Sequence, residues 1–421
     1  MEDVIETTAP APPMAAPPPG PAAPALRRAW VVIVCLTLLN TIGMTVVFPV
    51  LPFVTLEYVH EGSLALWVAV LESVNALCAF LVAPLLGGLS DRFGRRPILI
   101  ISAFGAAAGY AVFGVGGALW VLVAARALQG LTAGDMPAIF AYVADITPAE
   151  DRAKRYGMLG ALAGVGMMLG PAIGGALSTW HLDAPVHVTA LMAVAVGAVS
   201  VFALPESLAP ENRTAKVKLK DLHPFKVLKD AFARPELRLL LGGFTLAGIP
   251  FYFYANNLPV LGRDTVGWGA TQIGLLMSVA GVLDIVIQGG LLALLLPRIG
   301  ERGVVIAGLV GQTVGCAGMA LVAHSLDAPQ LLVAAALLFA SGQGATTAAL
   351  DAMMSNSVAA SEQGWLAGGI SSIGSAIQMT APLLAGWLYV SSGRATPYTL
   401  GFVMLAAAAV LLLRANTRPA R

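Results

Sequence analysis

Four carboxylic acids stand inside long apolar segments of this sequence: Glu72, Asp135, Asp284 and Asp351. An ionised carboxylate at the centre of a bilayer costs about 2.5–3.5 kcal/mol on insertion scales, so such a group must face a wet cavity, pair with a cation or hold a proton. A carboxyl group that alternates between wet and dry surroundings can take up a proton on one side of a membrane and release it on the other. These acids therefore indicate proton-coupled chemistry.

Asp135 and Asp284 lie near the middle of their apolar segments and are the first candidates for proton coupling. Gln288 follows Asp284 by one helical turn on the same face, which favours a polar cavity lining. Pro137 follows Asp135 by two residues, where we expect a freed carbonyl group and a local kink. The alternative for each acid is a static polar pair.

Arg126 is a basic residue inside an apolar segment, nine residues before Asp135. At about 100° per residue the two side chains lie on opposite helical faces, roughly 13 Å apart along the axis. The partner of Arg126 is therefore expected on another helix or on a substrate, or its hydrogen bonds go to carbonyl groups. Glu72, nearer the outer third of its segment, is a third coupling candidate, whereas Asp351 near an inner end is expected to be solvated or to act as a latch.

Polar and adaptable side chains in the same segments are candidates for a substrate cavity: Asn40, Met44, Tyr252, Asn256, Gln288, Gln312 and Gln343. Residues 251–257 combine aromatic rings with amides, a lining that suits a drug-sized ligand. Tyrosine is also enriched at membrane interfaces, so this run has a second interpretation.

Composition limits the class of protein. Hydrophobic residues make up 57% of the 421 residues, charged residues only 11%, and the mean hydropathy is +0.81; soluble domains carry about 25% charged residues. A net charge of +1 gives no indication of nucleic-acid binding. The five histidines fall in loops, no phosphate-binding loop is present, and no nucleophile–base pair is evident, so we expect no metal, no cofactor, no ATP-driven step and no enzyme activity.

Twelve apolar segments are each long enough to cross a bilayer. They cover roughly 30–56, 64–89, 97–117, 119–145, 155–178, 186–204, 237–261, 270–296, 303–323, 328–357, 364–390 and 396–413. Nearly all of the 24 basic residues fall in cytoplasmic segments when both termini are placed inside. The sequence therefore predicts an all-α, twelve-helix membrane protein with both termini in the cytoplasm.

The chain divides into two halves around a hydrophilic interior loop. We expect a disordered Ala/Pro-rich cytoplasmic tail over 1–28, a six-helix bundle over 29–205, a basic linker over 206–236 and a second six-helix bundle over 237–421. The pattern Arg-x-Gly-x-Arg recurs at 92–96 and 298–302, at the same place in each half. Two related halves are typical of secondary transporters, with a substrate site between them near the midplane.

Three motifs carry a resemblance to the major facilitator superfamily. Residues 87–97 resemble its loop signature between helices two and three, with Gly87, Asp91, Arg92, Gly94, Arg95 and Arg96 at the motif positions. Residues 126–130 resemble its fourth-helix arginine motif. Residues 166–175 resemble the fifth-helix motif of antiporters, through Gly166, Gly170, Pro171, Gly174 and Gly175.

The chain is similar in particular to the tetracycline-efflux branch of the drug/proton antiporters, in residues 48–52, 142–147, 204–207 and 270–274. That resemblance implies an inner-membrane exporter of bacteria that works by alternating access, in which Arg126 relays protonation. We also expect a monomer, close helix packing at the glycines of helix five, and a latch on the outward-open state at the Asp91 loop. The alternative for that loop is a role in positive-inside topology alone.

The chain departs from that branch at three positions. Asn40, Gly109 and Gln312 stand where the branch has acidic residues in helices one, three and nine. We therefore predict export of small, amphipathic, antibiotic-like compounds in exchange for protons, with the coupling carried by other acids. The alternatives are a metabolite uptake carrier of the same fold and a non-transporting membrane receptor or scaffold. The expected partners are a small-molecule substrate, protons and lipid.

Overall fold

The structure is a computed structural model that describes residues 23–213, 235–324, 327–358 and 362–414. Helices account for nearly all of these residues. In chain order they are α1 (Ala23–Val46), α2 (Leu51–Leu56), α3 (Leu64–Phe93), α4 (Arg95–Val115), α5 (Leu119–Leu131), α6 (Asp135–Ile146), α7 (Ala149–Leu177), α8 (Ala184–Phe202), α9 (Pro235–Val266), α10 (Ala270–Val286), α11 (Leu292–Ala323), α12 (Pro329–Ser355), α13 (Gln363–Ser391) and α14 (Thr396–Arg414).

These helices make twelve membrane crossings, as the sequence predicted. Ten helical stretches in the described part of the chain are long and apolar enough to span a bilayer. One of them, the 54 residues from Ala270 to Ala323, holds two crossings, because the backbone of Gly300 turns to a φ of 68° and bends α11 sharply. A further crossing is made by α5 and α6 together, since neither is long enough alone.

The fourth crossing is broken near its middle. Helix α5 ends at Leu131, and α6 begins again at Asp135. Pro137 has no backbone N–H, and it lies in the first turn of α6, where a helix needs no donor at that position. The kink expected from the sequence is thus a full interruption, which leaves Asp135 at the positive end of the α6 dipole.

The eighth crossing is irregular at a similar depth. A π-helical turn, Ile287–Leu291, joins α10 to α11 immediately after the Asp284 turn. Such turns are rare and occur often at functional sites. Irregular backbone is tolerated at membrane depth only where it is buried in protein or lines a water-filled cavity.

Two six-crossing halves, α1–α8 and α9–α14, pack against each other through α3 with α13 and α7 with α10. Helix α1 begins at Ala23, so the end of the predicted 1–28 tail is helical, while its first 22 residues lie outside the described residues. The predicted 206–236 linker contains a short 3-10 turn at Pro210–Asn212. Residues 214–234 of this linker lie outside the described residues.

The two membrane faces of the protein differ. The basic face carries the turns at Gly94 and Gly300 together with the loop arginines, and the opposite face carries the turns at 57–63 and 264–269. At the opposite face the halves meet closely, since a Cβ added at Gly386 would lie 2.5 Å from the carbonyl oxygen of Ala65. At the basic face a Cβ at Gly157 would meet nothing within 4 Å. The close packing at Gly386 and its absence at Gly157 indicate a molecule closed at the opposite face and open at the basic face.

Closure at the opposite face therefore depends on the small size of Gly386, which leads to a testable expectation. Gly386→Val should hold the halves apart there, because its side chain would overlap the backbone of α3. Thiol labelling from the opposite face, at a cysteine replacing Met44 in a chain lacking its native cysteines, should rise, and transport should fall.

Gly374→Val on the same helix is the matched control, because a Cβ at Gly374 meets nothing within 4 Å. Equal labelling of the two variants would contradict this account of closure.

Candidate functional site

A cavity of about 690 Å³ lies between the two halves and is lined by side chains from both. This volume falls within the range of sites that bind drug-sized molecules. Its wall is mostly apolar and aromatic, with a limited set of amide, hydroxyl and charged groups. The structure brings all four coupling candidates, Glu72, Asp135, Asp284 and Arg126, to this one cavity.

Asp135 reaches the cavity from the break in the fourth crossing. Its carboxylate accepts a hydrogen bond from the Nδ2 group of Asn40 on α1. The first turn of α6 thus supplies the helix dipole, while Asn40 supplies a neutral donor. No basic side chain in the described residues forms an ion pair with Asp135. Its negative charge is therefore stabilised by an amide donor and the helix dipole, without a cation.

Asp284 faces the cavity from the other half. Gln288 donates from Nε2 to its Oδ2 at 2.8 Å, one helical turn away, as their spacing indicated. The carboxylate lies against Gly344 of α12, where an added Cβ would collide with it. Among the described residues Asp284 also forms no ion pair with a basic side chain. The two central carboxylates therefore come from opposite halves, and each is held by an amide.

Arg126 and Glu72 form an ion pair between α5 and α3. The Arg126 side chain is 6% exposed and that of Glu72 is 27% exposed, so the cation is the more deeply buried partner. Arg126 also donates from Nη1 to Oε1 of Gln129 at 3.0 Å. The sequence indicated that the partner of Arg126 lies on another helix, but spacing along one helix carries no information about which acid on a second helix it meets.

The predicted substrate-contact residues fall into two groups. Asn40, Met44, Tyr252, Asn256, Gln288 and Gln343 line the cavity. Gln312 does not: it is fully buried, and its Nε2 group donates to Oγ1 of Thr346 at 2.9 Å where α11 packs against α12. A polar residue in an apolar helix predicts a polar neighbour, and here that neighbour belongs to the same half.

The 87–96 loop forms a charged network at the basic face. Arg95 bonds Asp91 and, at 3.1 Å, Asp145 at the end of α6. Glu206 accepts from the backbone N–H groups of Arg95 and Arg96, at 2.8 and 3.3 Å, and so caps the start of α4. Gly94 permits this approach with a φ of 109°, since a Cβ there would collide with the Glu206 carboxylate.

Among the described residues, the hydrogen bonds and ion pairs of the predicted latch residues run to other residues of the first half in this conformation. The Asp91 side chain is 51% exposed, a Cβ at Gly87 would meet nothing within 4 Å, and Arg92 lies over the ring of Phe93. This arrangement follows from the separation of the two halves at the basic face.

The glycines of α7 lie where helices approach most closely. Added Cβ atoms at Gly166, Gly170 and Gly174 would collide with α1, and one at Gly175 would lie 3.0 Å from the carbonyl oxygen of Ala270 on α10. Pro171 lines the cavity between them. Small residues of this kind allow close helix packing in membranes, so α7 joins the first crossing to the second half.

Comparison with known proteins agrees with this architecture. The family model described as Major Facilitator Superfamily matches residues 33–364 and 291–421. The chain belongs to the major facilitator superfamily. The chain is 34% identical to the class C tetracycline resistance protein of Escherichia coli over 366 residues, which are 87% of this chain and 91% of that protein.

Two further superfamily comparisons extend this result. The class H tetracycline resistance protein of Pasteurella multocida is 29% identical over 373 residues, 86% of this chain and 90% of that protein. The crystal structure of the human organic anion transporter MFSD10 superposes with a TM-score of 0.67 over 94% of this chain and 100% of that one, at 22% identity. The superposition shows a shared fold.

The Glu72–Arg126 pair gives a prediction about the stability of the protein. Glu72→Gln should destabilise the purified protein by about 2–3 kcal/mol, because it leaves a buried guanidinium without its counter-charge. The midpoint of thermal unfolding should fall by roughly 5 °C, and Arg126→Gln in the same chain should recover most of the loss.

Glu61→Gln is the control, because Glu61 also pairs with an arginine, Arg263, but is 78% exposed. Exposed ion pairs contribute about 0–1 kcal/mol, so this variant should unfold near the unmodified temperature. An equal fall in the unfolding midpoint of Glu72→Gln and Glu61→Gln would contradict the conclusion that Glu72 neutralises a buried guanidinium.

Proposed function

We propose that this protein exports small, amphipathic, tetracycline-like compounds across the bacterial inner membrane in exchange for protons. Support comes from the tetracycline resistance proteins among its relatives, 34% identical over most of both chains in one case. The excess of basic residues at one face supports a cytoplasmic location for that face and for both termini. One chain supplies both halves of the cavity, so a monomer suffices.

The observation that carries this proposal is the pair of carboxylates on opposite walls of one cavity. Asp135 and Asp284 are held by Asn40 and Gln288, two neutral amides. A carboxylate held in this way can bind either a proton or the cationic group of a substrate, and binding one disfavours the other. Competition of this kind is the minimal requirement for exchange of a cationic compound with protons.

Alternating access then makes the exchange of substrate for protons directional. In the conformation open to the basic face, the carboxylates meet cytoplasmic solvent, release their protons and bind substrate. After the halves rock, the same groups meet the more acidic outer solvent, take up protons and release substrate. The return step with protonated carboxyl groups carries no free negative charge through the closed intermediate, which lowers its electrostatic cost.

Arg126 and Glu72 have a different role in this scheme. The guanidinium is nearly fully buried and already paired, so it contributes little net charge to the cavity. Protonation of Glu72 would release Arg126 to attract a carboxylate of the substrate or Asp135. We assign the pair to relaying protonation between the two halves of the cycle, with Asp135 and Asp284 as the primary sites.

The charged groups at the two faces favour alternate states. At the opposite face Glu61 of the first half bonds Arg263 of the second at 2.7 Å. Asp264 also accepts from Tyr389 at 3.1 Å, which ties α13 to the end of α9. Exposed pairs contribute little energy, so the glycine packing beneath them supplies most of the closure. At the basic face the Asp91 loop is free to latch against α13 when the cavity opens outward.

Asp284→Asn should uncouple transport from the proton gradient. In energised everted vesicles the unmodified protein should accumulate tetracycline, and an uncoupler should abolish the accumulation. The variant should accumulate none, because its amide cannot release a proton. A drug-susceptibility panel in an efflux-deficient host should show the same loss.

Asp351→Asn is the matched control and should retain accumulation, since Asp351 is an exposed acid on α12 outside the cavity lining. Accumulation by the unmodified protein that survives the uncoupler would refute proton exchange. Substrate movement in the opposite direction would support an uptake carrier instead.

Asp135 and Asn40 should be exchangeable, because their side chains meet as a carboxylate–amide pair between α1 and the α5–α6 break. Asp135→Asn alone should abolish accumulation, and Asn40→Asp with Asp135→Asn should restore a measurable fraction by returning one carboxylate to the same pocket. Accumulation at the unmodified level in Asp135→Asn alone would show that this carboxylate is not required.

A further inference from the structure

Three buried residues of the cavity lining each have a polar atom without a hydrogen-bond partner in the described part of the chain: Nε of Arg126, Nε2 of Gln129 and Oδ1 of Asn256. These residues are only 5%, 6% and 7% exposed. Oε1 of Gln343, on a less buried residue of the same lining, is a fourth such atom. Buried polar groups in native proteins are normally paired, so each such atom calls for an explanation.

Gln129 presents a donor, because its neighbour decides the orientation of its amide. Its Oε1 accepts a hydrogen bond from Nη1 of Arg126 at 3.0 Å. The reverse orientation would set the two donors against each other, since guanidinium groups have no acceptor. The group left over is therefore the NH₂ of Gln129, next to the unpartnered Nε of Arg126 in the same half.

Asn256 presents an acceptor, because a chain of two hydrogen bonds fixes the orientation of its amide. The Nδ2 group of Asn257 donates to the carbonyl oxygen of Ala385 at 3.1 Å, and this fixes the orientation of Asn257. The Oδ1 of Asn257 then accepts from Nδ2 of Asn256 at 2.8 Å. Only Oδ1 of Asn256 remains, and it belongs to the second half.

We propose that Gln129 and Asn256 are specificity-determining residues that recognise, from opposite walls, ligand groups able to accept and to donate hydrogen bonds. Hydroxyl, enol and carboxamide groups have this chemistry. The proposal rests on the proposed function and deepens it: the substrates are cations that also carry such oxygen-rich edges, rather than purely apolar cations.

A buried polar group that stays without a partner costs free energy, and this cost makes the site selective. A site built to pair a ligand hydroxyl or amide rejects an analogue lacking it, because the buried groups of the site stay unpaired. The two walls belong to different halves, so a ligand that satisfies both also links the halves at this cavity. A cation without such groups uses only the carboxylates and the apolar wall.

The test compares two probes that differ in this chemistry. Tetracycline carries hydroxyl, enol and carboxamide groups, whereas tetraphenylphosphonium is a cation with no hydrogen-bonding group. Binding of each to the purified full-length protein in lipid nanodiscs gives a Kd for the unmodified chain and for three variants, Gln129→Glu, Asn256→Leu and Gln312→Met.

Gln129→Glu keeps the acceptor for Arg126 and removes the donor, and Asn256→Leu removes the acceptor. Each should raise the Kd for tetracycline by about 5- to 150-fold, as loss of one buried hydrogen bond does. The Kd for tetraphenylphosphonium should stay within about twofold in Asn256→Leu and should stay the same or fall in Gln129→Glu, which adds a negative charge.

Gln312→Met is the matched control, because Gln312 also has an unpartnered buried oxygen but lies outside the cavity. It should leave both Kd values unchanged. The proposal is overturned if the two probes weaken together, if the tetracycline Kd is unchanged, or if the unmodified protein binds neither. Binding that follows the prediction without gradient-driven transport would instead refute the export function and leave the recognition assignment intact.

Discussion

The cost of keeping a carboxylate at the depth of a hydrocarbon core governs the arrangement of this protein. Asp135 and Asp284 meet that cost without a cation, through amide donors, a helix dipole and access to a cavity. Each stands beside an irregular piece of helix, the α5–α6 break for Asp135 and the π-helical turn for Asp284. Such interruptions are tolerated at membrane depth only where they are buried in protein or line a water-filled cavity. A position beside the cavity therefore suits both the acids and the broken helices.

The three positions without an acid, Asn40, Gly109 and Gln312, have other roles in this structure. Asn40 is the amide that holds Asp135, and Gln312 packs inside the second half. At Gly109 the side chain of Gln129 takes up the space, since a Cβ there would lie 2.5 Å from its Cγ. Carboxylates reach the cavity from the second, fourth and eighth crossings instead.

Much of the fold followed from the sequence because its signals are local. The apolar segments predicted twelve crossings, and Pro137 predicted an irregularity beside Asp135, although the size of the interruption depends on where α5 ends. The Gln288 bond to Asp284 was predictable from their spacing on one helix. The recurring Arg-x-Gly-x-Arg pattern and the superfamily motifs predicted that two related halves pack together, which the pattern of a single segment cannot indicate.

Contacts between helices were not predictable in this way. The sequence showed that Arg126 needs a partner elsewhere, but the choice of Glu72 depends on how α3 packs against α5. Gln312 was wrongly assigned to the cavity, because a polar side chain in an apolar helix specifies a polar neighbour and not its direction. The unpartnered atoms of Gln129 and Asn256 depend on chains of hydrogen bonds across several helices. No spacing in the sequence records such chains.

Counting the protons released when substrate binds to the purified protein tests the central claim most directly. Tetracycline binding in weakly buffered solution, followed with a pH indicator across a series of starting pH values, should release protons in a pH-dependent amount, because substrate and proton compete for the same carboxylates. The Asp135→Asn, Asp284→Asn double variant should release none. Substrate binding that releases no protons at any pH, or release that persists in the double variant, would contradict the account.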